Sequence, residues 1–197
     1  MSLWVKICGL TTSEGVTAAV DARADAIGFV FAPSKRQVTP EQATALAKTV
    51  PDHIARVAVM LHPTQEELDA VWSDFRPDVL QTDEEDLEQL VIPDGLAVTP
   101  VLRTMRLPLS RRVLFEGAMS GSATLADWAA AAALAQQVEL ILAGGLNAAN
   151  VVNAVRQVAP FGVDVSSGVE RAPGIKDRGM IHEFVHAARS AWTGVDR

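Results

Sequence analysis

The chain has 197 residues, 49% of them hydrophobic and 21% charged, a globular composition that excludes disorder over most of its length. A formal charge of −7 argues against a general nucleic-acid binder, which needs a basic face to displace counterions. The single cysteine, Cys8, excludes an intrachain disulfide and speaks against a Cys-based zinc site. The longest Ala-rich run, Trp128 to Ala135, is far short of the roughly 20 residues of a membrane span. The first residues, Met1-Ser2-Leu3-Trp4-Val5-Lys6, lack a basic region followed by an apolar one, so the cytoplasm is the expected compartment.

In chain order, short apolar runs alternate with helix signals. The expected strands are Leu3–Cys8, Ala26–Phe31, Ala55–Leu61, Val79–Thr82, Ala97–Leu102, Arg112–Phe115, Leu140–Ala143 and Gly162–Val165. They are rich in Val, Ile, Leu and Phe, as strands covered on both faces must be. Thr12 or Ser13 can cap a first helix running to Arg23. Thr39-Pro40-Glu41 sets proline at the first helical position, and Thr64 with Glu67 makes a capping box. Further helices are expected from Asp83 through Leu90, from Ser122 or Thr124 into the Ala-rich run, over Ala148–Val158 behind Asn147, and from Asp177 to Trp192. Thr104–Ser110, with Pro108, is too short for a full helix.

Strands alternating with helices predict an α/β chain with a parallel sheet, one domain over residues 1–197. An open doubly wound sheet and a closed (β/α)8 TIM barrel both fit the alternation, and eight units favour closure. Such barrels typically use about 250 residues, so this is a small version with trimmed loops.

In either architecture ligands collect at the carboxyl ends of the strands. The first strand ends Lys6-Ile7-Cys8-Gly9, with Lys6 and Cys8 on one face. Cys8 reads either as a buried structural thiol or as a base beside a lysine. Asp164 and Ser166 share a face of the eighth strand, so barrel closure would pair Lys6 with Asp164 inside. Two glycine turns, Gly144-Gly145 and Ser166-Ser167-Gly168, follow the last two strands. They are either tight turns or a main-chain phosphate cradle, and that position is the usual phosphate site of a barrel. Lys35-Arg36 is either a solvated basic pair or, through the planar fork of Arg36, a carboxylate clamp. Asp127 opens the Ala-rich helix, where the helix dipole favours an acid. His182-Glu183-Phe184-Val185-His186 fits a zinc-protease pattern, but no further His or Glu follows it. A surface or packing role is expected there, with no metal site.

Taken together, Lys6-Ile7-Cys8-Gly9-Leu10-Thr11, Gly28-Phe29-Val30-Phe31 with Ser34-Lys35-Arg36, Asp127-Trp128, Gly144-Gly145-Leu146-Asn147, and Val163 to Glu170 with Pro173-Gly174-Ile175-Lys176-Asp177 closely resemble the phosphoribosylanthranilate isomerase family. The resemblance covers essentially the whole chain. It implies a TIM barrel and an Amadori rearrangement of N-(5-phosphoribosyl)anthranilate without cofactor or metal. By position, Cys8 takes the family's general base and Asp127 its general acid. Arg36 matches an arginine near the anthranilate end, and Gly144, Gly145, Ser166, Ser167 and Gly168 match the phosphate cradle. The implied partner is a small phosphosugar, with no nucleic acid or membrane, and the chain is a monomer or a homodimer. Two alternatives stand beside this reading. One is a related aminoaldose isomerase of histidine-pathway type, which pairs two aspartates where this chain has Cys8. The other is a non-catalytic phosphosugar-binding barrel, which could dispense with Cys8 or Asp127.

The chain departs from the family pattern in two places. Gln81-Thr82-Asp83-Glu84 stands where many members carry Gln-Leu-His-Gly. Glu116 stands where aspartate is frequent, and the stretch after it lacks the usual Gly-Thr-Gly-Lys spacing.

Overall fold

All eight apolar runs form strands: β1 (Trp4–Cys8), β2 (Ala26–Val30), β3 (Ala55–Val59), β4 (Val79–Asp83), β5 (Ala97–Leu102), β6 (Arg112–Phe115), β7 (Glu139–Leu142) and β8 (Gly162–Val165). The structure, a computed structural model, describes residues 2–104, 110–116 and 127–192. The strands pair in parallel, in chain order, into a closed barrel. Closure brings the first and last strands together, with Lys6 level with Asp164 and Ile7 with Val165.

The helices are α1 (Ser13–Asp21), α2 (Pro40–Ala47), α3 (Gln65–Asp74), α4 (Trp128–Ala135), α5 (Val151–Val158) and α6 (Arg178–Ala191). Local chemistry fixes their starts. Thr39 and Thr64 both complete capping boxes, with Gln42 and Glu67; such a cap contributes about 1 kcal/mol. A large apolar layer between barrel and helices includes Leu3, Ile7, Phe29, Leu68, Leu140 and Phe184. A smaller cluster of Val101, Leu114, Ile141 and Ala143 packs with Trp4 and Phe161. Trp4 shares its strand face with Lys6 and Cys8, so this cluster fills the barrel interior below the mouth.

Three expectations need correction. Between β4 and β5 the chain makes only a 3-10 turn, Glu84–Glu88, rather than a helix to Leu90. Acids crowd that segment, and the Asp86 carboxylate accepts from Thr82 Oγ1, the His62 ring and the His62 amide instead of supporting a helix. Helix α5 starts at Val151 and not at Ala148. The Asn147 side chain accepts from the amides of Ala149 and Asn150, and Asn150 accepts from the amide of Asn147. These local turns replace the first helical turn. Helix α4 starts at Trp128 with Asp127 as its cap; Ser122 and Thr124, the expected starts, lie outside the described residues, as does most of Thr104–Ser110.

A hairpin that the alternation does not announce follows β8: β9 (Glu170–Ala172) and β10 (Ile175–Lys176). Gly174 closes its turn at φ +82 and lies so near the Lys35 carbonyl that a Cβ would sit 2.8 Å from it. Thr11 donates to the Gly174 carbonyl. The hairpin is thereby bound to the loops after β1 and β2.

Candidate active site at the barrel mouth

Cys8 is the last residue of β1 and is 6% exposed. Gly28 of β2 lies beside it. A Cβ at Gly28 would be 3.0 Å from Cys8 Sγ and 3.0 Å from Lys6 Cε, so the thiol and the lysine stem converge tightly over a bare strand position. Burial, the largest influence, pushes the Cys8 thiol up; Lys6 and Lys176 pull it down, Asp164 pushes it up, and the thiol is left above its ordinary range.

Lys6 is fully buried, as a lysine can be only when paired. Its Nζ donates to Gln81 Oε1 at 2.7 Å and to Asp164 Oδ1 at 3.0 Å. The pairing of Lys6 with Asp164 expected from barrel closure is therefore present. Burial works to lower the lysine pKa, but the charges and hydrogen bonds of Asp164 and Cys8 outweigh it and leave the value raised.

Arg36 holds a carboxylate, but one belonging to the protein. Its Nε donates to Glu170 Oε1 at 2.7 Å and one Nη to Oε2 at 2.8 Å. The same Glu170 oxygen accepts from Lys176 Nζ at 2.8 Å. Lys176 also donates to the Ser166 carbonyl at 3.0 Å and to Ser166 Oγ at 3.3 Å. The two cations hold the Glu170 carboxyl down at about 2 against the cost of its burial. Sequence patterning overlooks Glu170 and Lys176 as a pair. The available signal was the Pro173-Gly174 turn, which predicts a hairpin whose register sets Lys176 across from Glu170.

The two glycine turns come together. Gly144 and Gly145 take φ +90 and +65, left-handed backbone that favours glycine. A Cβ at Gly168 would lie 1.9 Å from the Leu146 carbonyl oxygen and 3.0 Å from Asn147 Cβ. The loop after β8 thus rests directly on the loop after β7. Ser166 is half-buried against Lys176, and Ser167 is exposed.

Asp127 caps α4 as its position suggests. Its Oδ1 accepts from the amides of Ala129 at 3.0 Å and Ala130 at 3.1 Å. A proton on this acid would belong on the other oxygen, Oδ2. The adjoining Trp128 buries its Nε1–H without a hydrogen-bond partner among the described residues.

The histidine-rich motif lies elsewhere, on α6. That helix buries Ile181, Phe184, Val185, Ala188 and Ala191, while Glu183 and His186 are exposed and His182 is half-buried. Among the described residues no three His, Cys, Asp or Glu side chains cluster as metal ligands, and no helix is long and apolar enough to cross a membrane.

Residues 5–187 match the family described as N-(5'phosphoribosyl)anthranilate (PRA) isomerase. The chain is 38% identical over 193 residues to the N-(5'-phosphoribosyl)anthranilate isomerase of Streptococcus mutans serotype c, covering 94% of this chain and 98% of that one. Crystallised monomers generated from the dimeric phosphoribosylanthranilate isomerase of Thermotoga maritima superpose with a TM-score of 0.83 at 31% identity, covering 95% of this chain and 99% of that one. A phosphoribosyl anthranilate isomerase in complex with reduced 1-(o-carboxyphenylamino)-1-deoxyribulose 5-phosphate superposes with a TM-score of 0.77 at 30% identity, with the same coverage. With Cys8 at the end of β1, an acid capping α4 and paired glycine turns after β7 and β8, this chain belongs to the phosphoribosylanthranilate isomerase family.

Proposed function

We propose that this chain converts N-(5-phosphoribosyl)anthranilate into 1-(2-carboxyphenylamino)-1-deoxyribulose 5-phosphate, the third step of tryptophan synthesis from chorismate. The observation that carries the reading is the seat of Cys8 at the barrel mouth, where its sulfur converges with the Lys6 stem over Gly28 and the next residue, Gly9, lies against Ser166 of the second glycine turn. Two proton transfers carry the substrate to an enolamine, and a third, from the C2′ hydroxyl to C1′, completes the reaction. Asp127 gives a proton to the ring oxygen as the anomeric C–O bond breaks, and the nitrogen lone pair forms an iminium at C1′. That cation acidifies C2′–H, and the Cys8 thiolate removes the proton. The electron pair left at C2′ moves into the C1′–C2′ bond and neutralises the iminium. The resulting enolamine tautomerises to the ketone. Each such transfer typically contributes about 10²–10⁴-fold.

Binding at both ends of the substrate aligns these atoms. The amides of Gly144, Gly145, Ser166, Ser167 and Gly168 receive the phosphate, where the two loops meet without side chains between them. Arg36 lies toward the anthranilate carboxylate. Glu170 occupies Nε and one Nη, so the remaining Nη is its donor for substrate. The partner is a small anionic sugar in the cytoplasm, and the protein works as a monomer or a homodimer.

The test is direct. Purified protein added to N-(5-phosphoribosyl)anthranilate should accelerate the decay of the substrate's anthranilate fluorescence and yield the deoxyribulose product by mass spectrometry. Decay at the uncatalysed rate, with the phosphosugar bound, would instead mark a binding barrel.

A further inference from the structure

Cys8 must be a thiolate to act as a base, yet it is enclosed at the top of the barrel, where burial alone favours the thiol. Three cations lie around it. Arg36 is committed to both oxygens of Glu170, and Lys176 to Glu170 and Ser166. Lys6 differs. Its ammonium has three N–H donors, and Gln81 Oε1 and Asp164 Oδ1 take two of them. These two acceptors come from β4 and β8, opposite sides of the barrel, so they fix the ammonium from two directions. The third donor is left on the side of Cys8, whose sulfur converges with the lysine stem over Gly28.

Gly28 makes this possible. Its φ lies outside the left-handed region, so conformation alone does not require glycine there. Space favours it, because a methyl group there would press on both the thiol and the lysine stem, which would have to give by a few tenths of an ångström.

We propose that Lys6 is a positioning residue: tethered by Gln81 and Asp164, it is the counter-ion that stabilises the thiolate form of Cys8 against its burial and aims it at the substrate. This rests on Cys8 being the base. The lysine itself gives up no proton during the reaction. The charged groups acting on the sulfur are Lys6 on its own strand, Asp164 on β8, Lys176 on β10 and Arg36 in the loop after β2. Their signs make opposite predictions. Removing Lys6 leaves the carboxylate to oppose the thiolate; removing the Asp164 charge leaves the ammonium to favour it.

The protein suits the measurement, since it has one cysteine and no tyrosine. Thiolate ultraviolet absorbance against pH therefore reads Cys8 alone, without tyrosinate. In Lys6→Met the thiolate midpoint should rise by about 1–2 pH units, and in Asp164→Asn it should fall. The ascending limb of kcat/KM against pH should move with each, and Lys6→Arg should recover much of the wild-type profile. Both midpoints moving the same way, or neither moving in folded protein, would overturn the proposal. If Lys6→Met does not fold, Asp164→Asn and Lys6→Arg still decide the sign. Cys8→Ala separates the two ideas. An inactive Cys8→Ala with an unmoved midpoint in Lys6→Met refutes the role of Lys6, whereas an active Cys8→Ala refutes the base itself.

Discussion

The barrel mouth has two unlike halves. Around β1, β2 and β8, the cations Lys6, Arg36 and Lys176 meet the carboxylates Asp164 and Glu170. Across the mouth, after β3 to β6, Arg103 is bonded to Asp83 and Glu116, and His62 to Asp86. Among these described groups the first half carries more positive than negative charge. The second carries three carboxylates against one permanent cation. A substrate with a phosphate and a carboxylate is attracted to the first half and repelled by the second. Depth differs as well. The Lys6 and Lys176 side chains are each 1% exposed, while His62 is 66% exposed. The exposed His62 pair therefore does less work than the buried Lys6 and Lys176 pairs, because water screens it. The departures from the family pattern, Asp83 and Glu116, both belong to the acidic half. Arg103 joins them to each other and compensates part of their charge.

The largest expected effect lies on the cationic half. Cys8→Ala should lower kcat by about 10²–10⁴-fold or more, with KM for the phosphosugar nearly unchanged, in steady-state fluorescence assays. A loss confined to KM would assign the sulfur to binding. Asp127→Asn should lower kcat over a similar range of about 10²–10⁴-fold and leave substrate affinity intact. Asparagine also caps helices, so α4 should keep its stability, while Asp127→Ala should lose about 1 kcal/mol in urea unfolding.

Third comes Glu170→Gln, which leaves Arg36 and Lys176 without their shared carboxylate. It should destabilise the protein by about 3 kcal/mol at neutral pH, since the remaining cations are mostly enclosed. The Glu170 carboxyl sits at about 2 in the fold, below its ordinary 4.5. Its contribution is complete above pH 4.5 and is lost as the pH falls toward 2. Denaturation at neutral pH should thus separate the two proteins, and denaturation near the bottom of that window should not.

His62→Ala on the acidic half should be the mildest, below about 1 kcal/mol, because the pair with Asp86 is exposed. Hydrogen bonding to Asp86 raises the histidine from its ordinary 6.5. Its small contribution is present below that value and fades as the pH rises through the raised one. Melting curves in mildly acidic and mildly alkaline buffer should therefore converge at the alkaline end. An effect as large as that of Glu170→Gln would mean that the acidic rim is not screened as its exposure implies.

Much of this was legible in the residues. The eight strands announced themselves as apolar runs, since a strand covered on both faces must be apolar throughout. Thr39 and Thr64 marked helix starts because capping is chemistry between residues three apart. The helix expected after β4 failed because Asp86 found better partners in Thr82 and His62, and His62 lies 24 residues away. The site divides along the same line. Cys8, Arg36, Asp127 and the glycine turns could be named from motifs, and the Lys6–Asp164 pair followed once the barrel was closed.

Sequence alone determined the order of elements, most helix caps and which residue types reach the carboxyl ends of the strands, because these depend on neighbours along the chain. Only the tertiary structure decided that Glu170 satisfies both Arg36 and Lys176, that Gln81 reaches Lys6 across the barrel, and that Gly28 lies directly beneath the sulfur. Those facts depend on tertiary approach, across 75 positions for Gln81 and Lys6 and 134 for Arg36 and Glu170, and on the burial that makes an unpaired charge costly.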